Sequence, residues 1–239
     1  GGTPADAAGL EAIAALKGGG KGITFYPFIL MDQLADNGRA DPWSDAADQP
    51  VLPWRGRITS SIAAGRPGSP DGTAAAAAEV AAFFGTASPA HFGVSGGQVT
   101  YSGPAEWRYR RFILHYARLC ALAGGVDAFC IGSEMRGLTA IRGADGSFPA
   151  VAALRQLAAD VRAILGPAVK ISYAADWSEY SGLRNGAEVL FHLDPLWADS
   201  NIDFVGIDNY MPLADWREGE THADAAWGSI HNPDYLRAN

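Results

Sequence analysis

The sequence has few cysteines, no long apolar run and no excess of basic residues, and each absence excludes a class of protein. Its two cysteines, Cys120 and Cys130, both lie in apolar runs, which predicts buried free thiols rather than a disulfide scaffold. No apolar run approaches the length that spans a bilayer, and no signal-peptide pattern opens the sequence. Acidic residues outnumber basic ones 26 to 18, for a net charge of −8, so a general nucleic-acid or anionic-membrane surface is not expected.

Signals for phosphate, metal and serine-nucleophile chemistry are also missing. The glycine run at residues 18–20 precedes a predicted strand and not a helix, so it is not a phosphate loop. Ser95 stands in a Gly-Val-Ser-Gly-Gly segment but lacks the preceding strand and following helix of a nucleophile elbow. The five histidines have no metal-ligand spacing: His91, His115, His192, His222 and His231. We therefore expect no metal and no cofactor.

What the sequence does contain is a core-forming composition. Hydrophobic residues make up 48% of the 239 residues, which is enough to build a real core. The chain opens with Gly-Gly-Thr-Pro and no initiator methionine, which is typical of the inside of a longer polypeptide. We expect residues 1–239 to form a single domain fragment of such a polypeptide.

Helices and strands alternate along the chain. Apolar spacing and helix-end signals predict helices over residues 3–17, 73–84, 106–123 and 150–165, with a short one near 191–197. Strands are predicted over residues 23–31, 128–133, 169–174 and 202–207. Helical crossovers between strands indicate a parallel sheet. Four strands are about half of a (β/α)8 barrel, so the predicted fold is α/β, TIM-barrel-like and incomplete in this chain.

A long segment rich in proline, glycine and aspartate, residues 33–71, interrupts this alternation. Loops of this length inside compact domains are usually functional. Trp54, Arg55 and Arg57 lie within it and are candidates to bind a sugar or an acidic ligand at a barrel mouth. The alternative for each of them is that it pins the loop to the rim of the barrel.

Every predicted strand ends in polar or aromatic side chains. In a parallel barrel these ends share one face, so the side chains converge there. Carboxylates beside flat aromatic rings suit a carbohydrate site, where two carboxyl groups carry out glycoside hydrolysis. The residues concerned are Asp32, Glu134, Asp176, Trp177, Asp208, Asn209 and Tyr210.

These carboxylates have a second interpretation. Asp32, Asp176 and Asp208 are also suited to capping helices or holding loop backbone through side-chain hydrogen bonds. For Asp176 and Asp208 both interpretations stay open. Glu134 favours the functional interpretation, because glutamate is a poor helix cap and this one directly follows an apolar strand.

Several segments carry a resemblance to a known family. The chain resembles the glycoside-hydrolase-like TIM-barrel domain of the tail hub, or baseplate, proteins of gene transfer agents and related phages. The Gly-Ser-Glu segment around Glu134 is also similar to the acid/base segment at the fourth strand of retaining glycosidases with this fold. The matching segments are residues 1–4, 23–32, 49–59, 131–138 and 204–210.

The resemblance implies roles for particular residues. Glu134 corresponds to the general acid/base, and Asp208 at the end of the implied sixth strand is a second candidate catalytic residue. Asp32, Trp54, Arg55, Arg57, Asp176, Trp177, Asn209 and Tyr210 are candidate substrate-binding residues. The family's nucleophile lies on the seventh strand in a Thr-Glu-Leu-Gly-like segment. This chain has no such segment, so we expect the nucleophile to lie beyond Asn239.

Two functions remain open from the sequence. One is a glycosidase that acts on cell-envelope glycan such as peptidoglycan; the other is a catalytically inactive structural module of the tail baseplate. Either one implies other tail proteins as partners, a homo-oligomer in the tail, no nucleic-acid partner and no membrane insertion. The implied location is the tail of a virion-like particle acting at the bacterial envelope, after synthesis in the bacterial cytoplasm.

Overall fold

A computed structural model describes residues 5–210 and 214–238. Compact packing divides the chain into two units, one ending at Asp208 and one beginning at Asn209. The expectation that residues 1–239 form a single domain therefore stays a prediction. In the first unit the helices are α1 (Asp6–Gly18), α2 (Ala74–Phe84), α3 (Tyr109–Leu122), α4 (Arg136–Thr139), α5 (Pro149–Leu165), α6 (Trp177–Tyr180) and α7 (Asp194–Trp197). The strands are β1 (Thr24–Phe25), β2 (Phe92–Ser95), β3 (Gln98–Tyr101), β4 (Ala128–Ser133), β5 (Lys170–Asp176), β6 (Leu183–Asn185), β7 (Glu188–Leu190) and β8 (Gly206–Asp208).

The main sheet has four strands in the order β1-β4-β5-β8, and all neighbouring pairs are parallel. This confirms the α/β fold with a parallel sheet, and among the described residues no closed barrel is formed. Helices α3 and α5 pack against each other and against β4. Residues with no exposed surface fill the space between them, including Ile113, Phe129, Leu154 and Ile171. Cys120 and Cys130 are buried free thiols, as predicted, and burial raises their pKa values to about 12 and about 11.

The first and last strands are shorter than the sequence indicated. The strand predicted over residues 23–31 is wrong beyond Phe25, since Pro27 lacks the N–H that the sheet ladder needs. The strand predicted over residues 202–207 begins only at Gly206. Before that point, the Asp203 carboxylate accepts the Ile171 N–H at 2.8 Å, so a side chain replaces part of the backbone ladder.

Two antiparallel hairpins, β2–β3 and β6–β7, were not predicted. In the first, Gly96 and Gly97 both have positive φ and join Ser95 to Gln98 in a two-residue turn. Ser95 therefore ends a hairpin strand, which agrees with setting aside a nucleophile elbow. The predicted helix over residues 3–17 is α1; residues 3 and 4 lie outside the described part of the chain.

The second unit contains α8 (Pro233–Ala238) and a 3-10 turn, Ala225–Trp227. Tyr235 is fully buried and its hydroxyl donates to Asp224 at 2.8 Å. The rings of Trp216 and Trp227 pack against Tyr235 with centroids 5.5 and 5.7 Å away. This aromatic cluster holds the second unit together, because each ring removes a large apolar surface from water.

Candidate functional site

The carboxyl ends of the parallel strands meet in a hydrogen-bonded group. The hydroxyl of Tyr26, just beyond β1, donates to Asp208 Oδ2 at the end of β8. Ser133 Oγ, at the end of β4, donates to the same oxygen at 3.2 Å. We call Tyr26, Arg55, Ser133, Glu134 and Asp208 the strand-end cluster. Glu134 and Asp208 thus lie on one rim, as the sequence predicted.

The contact between Tyr26 and Asp208 shows that the sheet curves. Strands β1 and β8 form its two edges, and with about 4.8 Å between neighbouring strands a flat sheet would hold them about 14 Å apart. A tyrosine and an aspartate side chain together do not bridge that distance unless the edges bend toward each other. The chain just beyond β1 and the end of β8 therefore approach each other at this rim.

Glu134 has an unusual backbone conformation. Its φ is +50°, a left-handed value that non-glycine residues rarely adopt. Its N–H donates to Ala174 O on β5 at 2.8 Å, which extends the strand pairing one residue past β4. Left-handed backbone at a glutamate costs roughly 1–2 kcal/mol, and such strain concentrates at functional sites.

The two oxygens of the Glu134 carboxyl have different environments. Oε2 accepts the indole N–H of Trp54 at 2.8 Å and pairs with Arg55 Nη2 at 2.9 Å. Oε1 accepts no hydrogen bond from a described residue, and it is not among the fully buried atoms that lack a partner. The side chain is only 4% exposed, and Oε1 is the oxygen that no described residue holds.

Arg55 contacts two other members of the strand-end cluster, Ser133 and Glu134. Its Nε donates to Ser133 Oγ at 3.0 Å, while its Nη2 pairs with Glu134. The guanidinium also lies 4.7 Å from the ring centroid of Phe28, within the range of a cation–π contact. One arginine from the long loop therefore orients both side chains that end β4.

The loop that carries Arg55 is tied down on both sides. Arg57 pairs with Asp41 through 2.9 and 3.0 Å hydrogen bonds, and the indole of Trp43 donates to the Arg57 carbonyl at 2.7 Å. On the other side Gly137 lies against the loop, where a Cβ would come 2.7 Å from the Gly56 carbonyl oxygen. Only glycine allows this approach, so Gly137 lets the loop reach Glu134.

The other predicted binding residues lie in different settings. Trp54 remains 41% exposed although its N–H is bound, so part of its ring can contact a ligand. Arg57 is engaged with Asp41 and not with the cluster. Asp32 was expected to end the first strand; it is exposed and follows well after Phe25, because the strand stops before Pro27. Asn209 and Tyr210 belong to the second unit, where Tyr210 is 69% exposed.

Asp176 caps a helix. It is the last residue of β5 and the N-cap of α6, and its side chain accepts the Ser178 N–H at 2.9 Å. Trp177, the first residue of α6, is 37% exposed. Of the two interpretations left open for Asp176, helix capping agrees with the contacts that its side chain makes.

Sequence reasoning missed Glu179, the most deeply buried carboxyl near this rim. It completes a capping box by accepting the Asp176 N–H at 3.1 Å, and it also accepts from Thr139 Oγ1 at 2.6 Å and Tyr173 OH at 3.0 Å. Burial raises its pKa from 4.5 to about 7, although these hydrogen bonds oppose the shift. The Asp-x-x-Glu spacing was the available signal, since it is typical of a capping box.

Tyr26 was missed as well, because the predicted strand ran past it. Burial, reinforced by the hydrogen bond to Asp208, raises the pKa of Tyr26 well above its ordinary value, so its hydroxyl stays protonated as a donor. Among residues 5–210 and 214–238, no group of three or more His, Cys, Asp or Glu side chains is placed to hold a metal ion.

The curved parallel sheet with a carboxylate cluster at its strand ends defines a protein of the TIM-barrel-like class. A family model described as the GTA TIM-barrel-like domain matches residues 107–239, more than half of the chain, and the chain belongs to that family. GTA stands for gene transfer agent, so the resemblance to a TIM-barrel-like domain of gene transfer agents is confirmed. The match includes β4, β5 and β8; Ser133 and Asp208 end β4 and β8, and Glu134 directly follows β4.

The search of curated proteins and the composition of the helices each give a negative finding. No curated protein matches the chain. Within the described residues, no helix is both long and apolar enough to cross a membrane.

Proposed function

We propose that this protein is the glycoside-hydrolase-like module of a tail hub in a gene transfer agent or related phage, and that it cleaves or binds cell-envelope glycan. The observation that carries the proposal is Glu134 at the end of β4, strained at φ +50° and with Oε2 fixed by Trp54 and Arg55. A residue held in this way is oriented before a substrate arrives, which is what acid/base catalysis requires.

In this proposal Glu134 transfers protons through Oε1. It donates a proton to the leaving glycosidic oxygen while a nucleophile carboxylate, expected beyond Asn239, bonds to the anomeric carbon. Water then displaces that carboxylate and gives its proton to Glu134, as in retaining glycosidases. Arg55, paired with Oε2 at 2.9 Å, orients the carboxyl and leaves Oε1 for the transfer. Asp208, fixed by Tyr26 and Ser133, is the second carboxylate of the site.

The aromatic side chains supply the sugar-binding part of the proposal. Trp54 and Trp177 are 41% and 37% exposed, and flat indole faces suit the apolar faces of sugar rings. We propose peptidoglycan as the glycan, other tail proteins as the protein partners, and a homo-oligomer as the form in the tail. The proposed location is the particle tail at the bacterial envelope.

A Glu134→Gln variant tests the catalytic role. Glutamine keeps the shape of the side chain but carries no transferable proton, so release of reducing ends from purified peptidoglycan should fall at least a hundredfold. Particles with the variant should still assemble tails. Glu188→Gln, at an exposed position on β7, is the matched control and should cleave like the wild type. Unchanged cleavage by Glu134→Gln would reject the acid/base role.

A structural module of the baseplate is the second candidate. It is favoured by the closure of Trp54 and Arg55 over Glu134, whose side chain is only 4% exposed. In that case wild-type particles would release no reducing ends, and Glu134→Gln particles would deliver DNA as well as the wild type. Cleavage by the wild type that depends on Glu134 would exclude a purely structural role.

A further inference from the structure

A cavity opens beside α4 and α6, outside the strand-end cluster. Its volume is about 270 Å³, a little below the range of typical small-molecule sites. The polar side chains that line it are Arg136, Ser178, Glu179, Ser181, Arg184 and His192. We call it the Arg136–Arg184 cavity. It lies wholly within the first unit and includes no residue that the proposed cleavage uses.

The two arginines of this cavity have no partner among the residues that the structure describes. Both are exposed, and neither side chain makes a hydrogen bond, ion pair or cation–π contact with a described residue. Several other arginines of the first unit pair with carboxylates; Arg110 with Asp160 is one example. In a protein with a net charge of −8, two unpaired guanidiniums on one cavity form a local site of opposite sign.

The remaining walls add little negative charge. Glu179 is 1% exposed, and its oxygens already accept from Thr139 and Tyr173. Burial raises the pKa of Glu179 to about 7, so near neutral pH part of the population is uncharged. Burial lowers the pKa of His192, which keeps that ring neutral. The cavity therefore has a net positive charge that comes from its two arginines.

We propose that the Arg136–Arg184 cavity binds a carboxylate-bearing monosaccharide. Guanidinium groups match the planar carboxylate with paired hydrogen bonds. The hydroxyls of Ser178 and Ser181 already donate to Asp176 Oδ1 and to the Ser178 carbonyl, but each oxygen can still accept a hydrogen bond from a sugar hydroxyl. The volume admits about one ring with its substituents. The inference goes beyond the proposed function and does not require that the protein cleave anything.

The test compares two probes that differ in one group. N-acetylmuramic acid carries a lactyl ether with a carboxylate, whereas N-acetylglucosamine has the same ring and acetamide without it. Titration calorimetry on the 239-residue chain should show the acid binding at least tenfold more tightly, since hydrogen bonds to charged groups are the strong ones. Equal binding of the two sugars would overturn the proposal, as would inorganic phosphate binding as tightly as the acid.

Variants of the two arginines test whether the acid binds in this cavity. Arg136→Ala and Arg184→Ala should each weaken binding of the acid about tenfold, and the double variant should bind both sugars equally. Because neither side chain has a partner within residues 5–210 and 214–238, circular dichroism and thermal unfolding should be unchanged. Arg39→Ala removes an exposed arginine from the long loop and should bind like the wild type. Undiminished binding by the double variant would refute the site.

Different results would contradict the proposed function and the proposed cavity site. Glu134→Gln should bind N-acetylmuramic acid as tightly as the wild type, because Glu134 does not line the cavity. Loss of binding in that variant would assign the acid to the strand-end cluster and overturn the present inference.

Discussion

Glu179 makes the stability of the first unit depend on pH in a direction opposite to that of most carboxylates. Burial raises its pKa in the folded state to about 7, whereas the ordinary value is 4.5. Between these two values the folded chain keeps a proton that the unfolded chain has released. Stability from this group is therefore fully present below pH 4.5 and is lost as the pH rises through about 7.

The size of the effect follows from the two pKa values. The span from 4.5 to about 7, at about 1.4 kcal/mol per pH unit, makes the folded state about 3 kcal/mol less stable above pH 7 than below pH 4.5. Glu179→Gln mimics the protonated carboxyl and can still meet Thr139, Tyr173 and the Asp176 N–H. The variant should therefore escape this loss.

Urea unfolding of both proteins at pH 4.5 and pH 8 measures the difference. We expect the variant to match the wild type at pH 4.5 and to exceed its free energy of unfolding by about 3 kcal/mol at pH 8. Glu188→Gln, which changes an exposed carboxyl on the hairpin beside α6, should show no such difference. Parallel loss of stability in wild type and Glu179→Gln would refute the reasoning.

Two further predictions concern Glu134 and Gly137. Glu134→Gly should be about 1–2 kcal/mol more stable than Glu134→Ala, because both lose the carboxylate but only glycine relieves the strain at φ +50°; equal urea midpoints would show that the strain is absent. Gly137→Ala should cost about 1–3 kcal/mol in urea unfolding, since its Cβ would lie 2.7 Å from the Gly56 and Ile58 carbonyl oxygens. Gly18→Ala has open space around the new methyl group and should not lower stability.

Local patterns in the sequence were enough to predict the framework of the fold. Alanine content identified α2, apolar spacing identified α3 and α5 within a few residues, and the apolar run before Glu134 identified β4. The alternation of helices and strands predicted a parallel sheet because crossovers impose it. The hairpin β2–β3 also has a local signal in the pair Gly96 and Gly97, which is typical of a two-residue turn.

Only the tertiary structure decided which polar residues meet. Asp32, Asp176 and Asp208 are similar as strand-end signals, yet Asp208 bonds Tyr26 and Ser133, Asp176 caps α6, and Asp32 lies beyond a strand that ends early. The difference depends on curvature and on where each strand stops, which are properties of the whole sheet.

The sequence by itself therefore determined that Glu134 ends an apolar strand and belongs to a TIM-barrel-like chain. The tertiary structure decided that Arg55 reaches it across the sequence from the long loop and that Glu179 is buried deeply enough to hold a proton near neutral pH. The physical reason is that strand periodicity and helix caps are set by near neighbours along the chain. Burial and ion pairing depend on segments that only folding brings together.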